Sequence, residues 1–270
     1  MPANILFTIA EKRRTRIAER RAQLPAGLPP RPADLPPPRA GAFRSALRRA
    51  TPDAPLRLLG ELKKASPSKG VLRPDFDVPA LAAAYARGGA TALSVLTEPD
   101  WFQGAPEHLT QAKRASGGLP CLMKDFVVDP WQLDEAVSLG ADAVLLIVAL
   151  LPIEGLSMLL GQARARGLDA LVEVHTEAEL ELALGAEADL VGINARDLAT
   201  FEVDPSLVLE LRPRVPAGVV VVAESGIASP GDIRALADAG VDAALVGEAF
   251  MRRDDVAAAV AEFAAAAVPR

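Results

Sequence analysis

Eight short apolar runs recur along this chain between residues 56 and 250, and their repetition narrows the possible architectures more than any other feature of the sequence. They are LRLLGEL from Leu56, TALSVLTE from Thr91, LPCLMKDF from Leu119, DAVLLIVAL from Asp142, DALVEVH from Asp169, DLVGINAR from Asp189, VVVVAES from Val219 and DAALVGEAF from Asp242. Each has strand length, and most are apolar at successive positions, the mark of a strand buried on both faces in a parallel sheet. Their ends lie roughly 20 to 35 residues apart, which leaves room for one helix per strand. Helix starts are marked between them by Asp129-Pro130, Thr176 with Glu179, Asp204-Pro205 and Ser229-Pro230. Helix stops are marked by Gly89, Gly140, Gly167 and Gly240, each shortly before a small or acidic residue. Eight such units predict a closed (β/α)8 TIM barrel. A doubly wound open sheet is the alternative, but it usually has fewer strands.

The barrel is expected over residues 51–270, behind an N-terminal helical extension over 1–50. Residues 4–23 have amphipathic spacing through Ile5, Ile9 and Ile17, and the helix should stop at Pro25. LPAGLPPRPADLPPPRA then reads as an extended connector, since proline donates no amide hydrogen bond and disfavours helix in the residue before it. A second short helix is expected at about 42–50. Residues 1–49 hold eleven Lys or Arg against three acids, so this segment carries +8 and the remainder −14 within a net charge of −6. A nucleic-acid partner is disfavoured, because the acidic body repels phosphate backbones and no aromatics are interleaved to stack on bases. A basic segment docked over an acidic body, or set near an anionic substrate, fits better. One cysteine, Cys121, precludes an internal disulfide, and two distant histidines, His108 and His175, supply no zinc set, so no metal is expected. Arg13, Arg14 and Arg16 interrupt any signal-peptide core, and the most apolar run, Ala143 to Leu151, is too short to span a bilayer. A soluble cytoplasmic protein with no membrane partner is expected.

Active sites of such barrels are built at the C-terminal ends of the strands. Here the first run discharges into ELKKASPSKG, placing Glu61 and Lys63 on one strand face, with Ser66 beyond them. The third run ends in Lys124 and Asp125, the fifth in Glu173 and His175, and the sixth in Asn194 and Arg196. The seventh ends in Glu224, Ser225 and Gly226, and the eighth in Gly247 and Glu248. Any one of these is as readily a local ion pair. Their convergence on one opening is not required by a structural barrel, because desolvated charges cost free energy unless paired or used. Gly226 and Gly247 fall where barrels commonly bind phosphate through backbone amides, so a phosphorylated small-molecule substrate is expected, although either glycine would equally serve as a turn former.

The ordered set ELKKASPSKG, SVLTEPDWFQG, LMKDFVVDPWQ, GADAVLLI, LVEVH, INARDL followed by TFEVD, VAESGI and VGEAFM closely resembles the indole-3-glycerol phosphate synthase family of tryptophan biosynthesis. The likeness runs from the first strand to the last and includes the N-terminal extension; Ala195 departs from a segment where the family often has a second Asn. The resemblance implies a carboxy-lyase that converts 1-(2-carboxyphenylamino)-1-deoxyribulose 5-phosphate to indole-3-glycerol phosphate, releasing carbon dioxide and water without a cofactor. It further implies Lys124 as general acid on the carbonyl, Lys63 as a substrate-binding group or second acid, Glu173 as acid and base of the later steps, and Glu61 as the group that orients Lys63. Asn194, Arg196, Glu224 and Ser225 would hold the ribulose and carboxylate groups, while Ser66, Gly226 and Gly247 would grip the phosphate. The division of acid work between the two lysines stays open, and a monomer or weak homo-oligomer is expected.

Several neighbours read as structural. Cys121 suits a small core position. Asp125 and Lys64 alternate away from the charged face, towards the barrel wall or solvent. His175 suits the pocket mouth or the surface equally, and Trp101 with Phe102 suits either an aromatic wall or loop packing. The nearest enzymatic alternative, phosphoribosylanthranilate isomerase, resembles a site with Cys at the first strand end, where this chain has Glu61 and Lys63. A non-catalytic phosphosugar-binding barrel should have lost some charged strand-end residues, and no such loss is identified here.

Overall fold

The computed structural model describes residues 5–197 and 200–268. Leu198, the last residue of INARDL, Ala199 after it, and residue 4 of the expected first helix lie outside the described residues. All eight apolar runs form strands: β1 (Arg57–Leu62), β2 (Ala92–Leu96), β3 (Cys121–Lys124), β4 (Ala143–Ile147), β5 (Asp169–Val174), β6 (Leu190–Asn194), β7 (Val220–Glu224) and β8 (Ala243–Val246). They pair in parallel in chain order and close, with Leu59 of β1 opposite Ala92 of β2 on one side and Leu245 of β8 on the other. This is a (β/α)8 barrel.

Alternation along the strands divides the core in two. On β4, Ala143, Leu145 and Ile147 belong to the cluster filling the barrel, whereas Val144 and Leu146 pack among the surrounding helices. Those helices include α3 (Val78–Gly88), α4 (Pro106–Ala115), α5 (Trp131–Leu139), α6 (Ile153–Ala165), α7 (Glu177–Gly185), α8 (Ser206–Leu211) and α9 (Pro230–Asp238), then the short α10 (Glu248–Met251) and α11 (Val256–Ala265). Several begin as their sequence implies. The Thr176 hydroxyl accepts from the Glu179 amide at 3.1 Å, and Ser229 and Asp232 cap α9 reciprocally. Gly89 and Gly140 end α3 and α5 with φ of 98° and 100°, the left-handed conformation that glycine adopts without strain.

The extension closes both ends of the barrel. Helix α1 (Ile5–Gln23) lies against the C-terminal strand ends, with Leu6, Ile9 and Ala10 buried in the barrel cluster. Its basic residues dock on acids: Arg13 on Asp125 at 2.8 Å, Arg16 on Asp100 at 2.8 Å, and Arg20 on Glu135. Of the two placements considered for the basic segment, docking on the acidic body accounts for these arginines. Helix α2 (Ala42–Leu47), shorter than expected because Arg48 is already extended, plugs the opposite end with Phe43 and Leu47. The Gly41 and Arg44 amides both donate to the carboxylate of Asp169, at the start of β5. No helix among the described residues is long and apolar enough to cross a membrane.

Candidate active site

The inward series of several strands continues past its apolar part into charged residues. On β1, Leu59 is followed at two-residue steps by Glu61 and then Lys63; on β5, Leu171 is followed by Glu173 and His175; on β7, Val222 is followed by Glu224. These ends surround a cavity of about 490 Å³, and the eleven residues to which the family resemblance gives a role all line it: Glu61, Lys63, Ser66, Lys124, Glu173, Asn194, Arg196, Glu224, Ser225, Gly226 and Gly247. Opposite the charges, Ile5, Ile9, Phe102, Phe126 and Ile147 form an apolar wall. The rings of Phe102 and Phe126 stand 6.1 Å apart. Ser66 lies on a two-stranded hairpin, Ala65–Ser66 against Gly70–Val71.

Lys124 is the hub. Its Nζ donates to Glu173 Oε2 at 2.9 Å and to Glu224 Oε2 at 2.5 Å. Both carboxylates are 2% exposed, so each charge depends on this ammonium rather than on water. Burial opposes the charge on Lys124, but Glu173, Glu224 and Glu61 together outweigh it and hold the ammonium well above its ordinary pKa. The two glutamates diverge. Burial pushes Glu224 up to about 7, with the charge of Glu173 adding to the effect and Lys124 opposing it. Burial also opposes ionisation of Glu173, but there Lys124 and His175 prevail and hold it well below the usual carboxylate range. Driven apart in this way, Glu173 stands as an anion open to accept a proton, while Glu224 is divided between its two states near neutral pH.

Two glycines make the cluster possible. A Cβ on Gly192 of β6 would meet Glu224 Oε1 at 2.0 Å, and one on Gly247 would meet Glu61 Oε2 at 2.5 Å and Lys63 Nζ at 3.2 Å. Glu61 and Lys63 form an ion pair at the end of β1, and the Tyr85 hydroxyl donates to the Glu61 carbonyl at 2.8 Å, tying that strand end to α3. Asn194 Oδ1 accepts from the Arg196 amide at 3.0 Å, and the Arg196 guanidinium donates to the Phe201 carbonyl at 3.1 Å, which settles the loop after β6. Ser225 and Gly226 both have positive φ, 65° and 73°. Left-handed backbone at a non-glycine residue is uncommon and concentrates at functional turns.

Three residues given little weight in the sequence have defined places here. Asp125, out of phase with Lys124 along β3, still borders the cavity, where it is buried between Arg13 and the Thr97 hydroxyl, which donates to it at 2.6 Å. It therefore clamps α1 across the mouth. Glu98 accepts the Asp100, Trp101 and Phe102 amides at 2.8–3.0 Å and so shapes the loop that carries Phe102 to the apolar wall. His175 is mostly buried between Glu173 and Glu179. Gly192 was also missed, since a glycine inside an apolar run carries no signal of what lies across the barrel.

A closed barrel whose strand ends present a lysine shared by two buried glutamates, beside an apolar wall, defines an acid–base enzyme of the (β/α)8 class. The indole-3-glycerol phosphate synthase family model matches residues 6–263. An indole-3-glycerol phosphate synthase from Rhizorhabdus wittichii is 48% identical over 258 residues, covering 95% of this chain and 97% of that protein. One from Azospirillum brasilense is 50% identical over 220 residues, covering 82% and 84%. Among solved structures, a 3-hexulose-6-phosphate synthase from Salmonella typhimurium shares the fold at 15% identity, with a TM-score of 0.64 and coverage of 78% of this chain and 98% of that one. The chain belongs to the indole-3-glycerol phosphate synthase family.

Proposed function

We propose that this enzyme closes the indole ring of 1-(2-carboxyphenylamino)-1-deoxyribulose 5-phosphate, with loss of carbon dioxide and water, to give indole-3-glycerol phosphate. The observation that carries this reading is the Lys124 ammonium held between Glu173 and Glu224 at the edge of an apolar-walled cavity. The reaction needs a proton delivered to a carbonyl oxygen while an aromatic carbon attacks the carbonyl carbon. An ammonium above its ordinary pKa is a weak donor to water but a competent one to a developing alkoxide. In this reading the aromatic ring lies against Phe102 and Phe126 while the ribulose chain extends towards β6, β7 and β8.

Lys124 is the general acid of ring closure, and loss of the carboxylate restores aromaticity. Glu173, kept ionised, accepts and returns protons in the dehydration that follows. Lys63, oriented by Glu61, binds substrate or serves as a second acid. Asn194, Arg196, Glu224 and Ser225 hold the ribulose hydroxyls and the carboxylate. Ser66 and the backbone at Gly226 and Gly247 hold the phosphate, an assignment supported by the left-handed turn at Gly226 and by the start of α10, whose first amides have no intrahelical acceptor. The working molecule in this reading is a cytoplasmic monomer or weak homo-oligomer. Residues 1–50 form an appendage to the 51–270 barrel, contributing a lid through α1 and a plug through α2.

The test is the appearance of indole absorbance and fluorescence when the purified protein meets the carboxyphenylamino-ribulose phosphate. Absence of any indole product from a folded protein would overturn the reading.

A further inference from the structure

We propose that His175, held by Glu179, is a positioning residue that keeps Glu173 ionised and aimed at Lys124; the inference deepens the reading of Glu173 as the acid and base of dehydration, and rests on it. His175 follows Glu173 by two residues, just past the end of β5, so alternation turns its ring back along the same face. Its Nε2 stands 3.2 Å from Glu173 Oε1, approaching obliquely, and its Nδ1 stands 3.2 Å from Glu179 Oε2. The same Glu179 oxygen accepts the His175 amide at 2.7 Å. Glu179 is itself fixed, since its amide is capped by Thr176 in the first turn of α7.

This geometry decides the protonation of the ring. A neutral imidazole has one donor and one acceptor nitrogen. With a carboxylate against each nitrogen, either neutral tautomer would turn a lone pair onto an anion. The doubly protonated ring removes both repulsions: Nδ1 donates to Glu179 and Nε2 faces Glu173 as a charge contact without a hydrogen bond, and the two carboxylates, outweighing burial, lift His175 to about 10. Glu173 is then flanked by two cations, Lys124 from β3 on Oε2 and His175 on Oε1, while Glu224 of β7 shares Lys124 and repels Glu173 directly and Glu61 of β1 acts on Lys124. His175 does not line the cavity. It acts through Glu173 and not on substrate.

The test has an arm without turnover. The chain has two histidines, so proton NMR should show two imidazole signals. The His108 signal should titrate below the ordinary value, because burial lowers it, and the His175 signal should stay unchanged through pH 8. In kinetics, the acidic limb set by Glu173 lies well below the usual carboxylate range in the wild type, and His175→Gln should move it upward, since removing the imidazolium raises the pKa of Glu173. It should also lower kcat about ten- to a hundredfold through loss of orientation, with KM within about twofold. Glu179→Gln preserves the helix cap but removes the charge, and should shift the limb the same way by less. It stands in should the His175 variant not fold. A His175 signal titrating near its ordinary value, or variant pH profiles superimposing on the wild type, would overturn the inference. A wild-type protein that makes no indole would overturn the functional reading instead, and the NMR arm would still decide the state of His175.

Discussion

Replacing Lys124 with Met removes the ammonium at the centre of the site while keeping much of the side-chain length, and the structure sets two consequences. The first is kinetic. A positioned general acid contributes about 10²- to 10⁴-fold, or about 3 to 5.5 kcal/mol of barrier, so indole formation should fall by that order. The second is a loss of stability. With Lys124 gone, Glu173 and Glu224 are buried without their shared cation, and breaking a buried pair from one side costs about 3 to 5 kcal/mol. Protonation relieves part of that cost. Glu224 already sits at about 7 and will rise further, so the variant should be markedly less stable at pH 8 than at pH 5. Lys124→Arg should not restore turnover, since guanidinium does not release a proton at working pH. Steady-state indole formation with urea melts at both pH values reads out both effects. Turnover by Lys124→Met within a few-fold of wild type would refute the assignment and move the acid to Lys63.

Gly192→Ala should push Glu224 off Lys124, because the added methyl would lie 2.0 Å from Glu224 Oε1; a loss of turnover of about tenfold or more is expected, and full activity would show that Glu224 needs no fixed place. Gly247→Val should raise KM strongly and also lower kcat, since the new Cβ would reach Glu61 Oε2 at 2.5 Å; an unchanged KM in a folded variant would remove the phosphate from this loop. Phe43→Ala, at the barrel end remote from the site, should cost about 3 to 5 kcal/mol of stability in urea melts and leave kcat unchanged. Two site groups should make the wild type lose stability on the alkaline side. Both have folded pKa values above their unfolded ones, so the contribution of Glu224 is complete below about 4.3 and lost as pH rises through about 7, and that of His175 is complete below about 6.5 and lost as pH rises through about 10. Melts from pH 5 to 10 should follow this course, and His175→Gln should flatten its upper part.

The barrel and the membership of its site were legible because both follow from one period. A strand end is two residues from the next inward position, so the apolar series in LRLLGEL, DALVEVH and VVVVAES points to Glu61, Glu173 and Glu224 with no knowledge of the neighbouring strands. Helix boundaries were legible for a similar reason, since Thr176, Ser229, Gly89 and Gly140 act within a few residues of themselves. Even the sign of the extension's charge was informative, because a +8 segment beside a −14 body needs partners, and four arginines of α1 find them.

What stayed hidden depends on which strand ends face one another. Asp125 lies one residue out of phase with the inward series, and nothing local shows that Arg13, 112 residues earlier, will bury it. Gly192 looks like a weak position in an apolar run, yet its missing methyl is the space that Glu224 occupies from the next strand. The same holds for the pKa of Glu173, which in isolation burial would raise. Its depression comes from Lys124 two strands away and from His175 at the end of its own strand. A sequence can place carboxylates on a common face, but their protonation depends on how many cations the closed barrel brings to each. Here Glu173 receives two and Glu224 shares one, and that asymmetry makes one glutamate a standing base and the other a group that exchanges its proton near neutral pH.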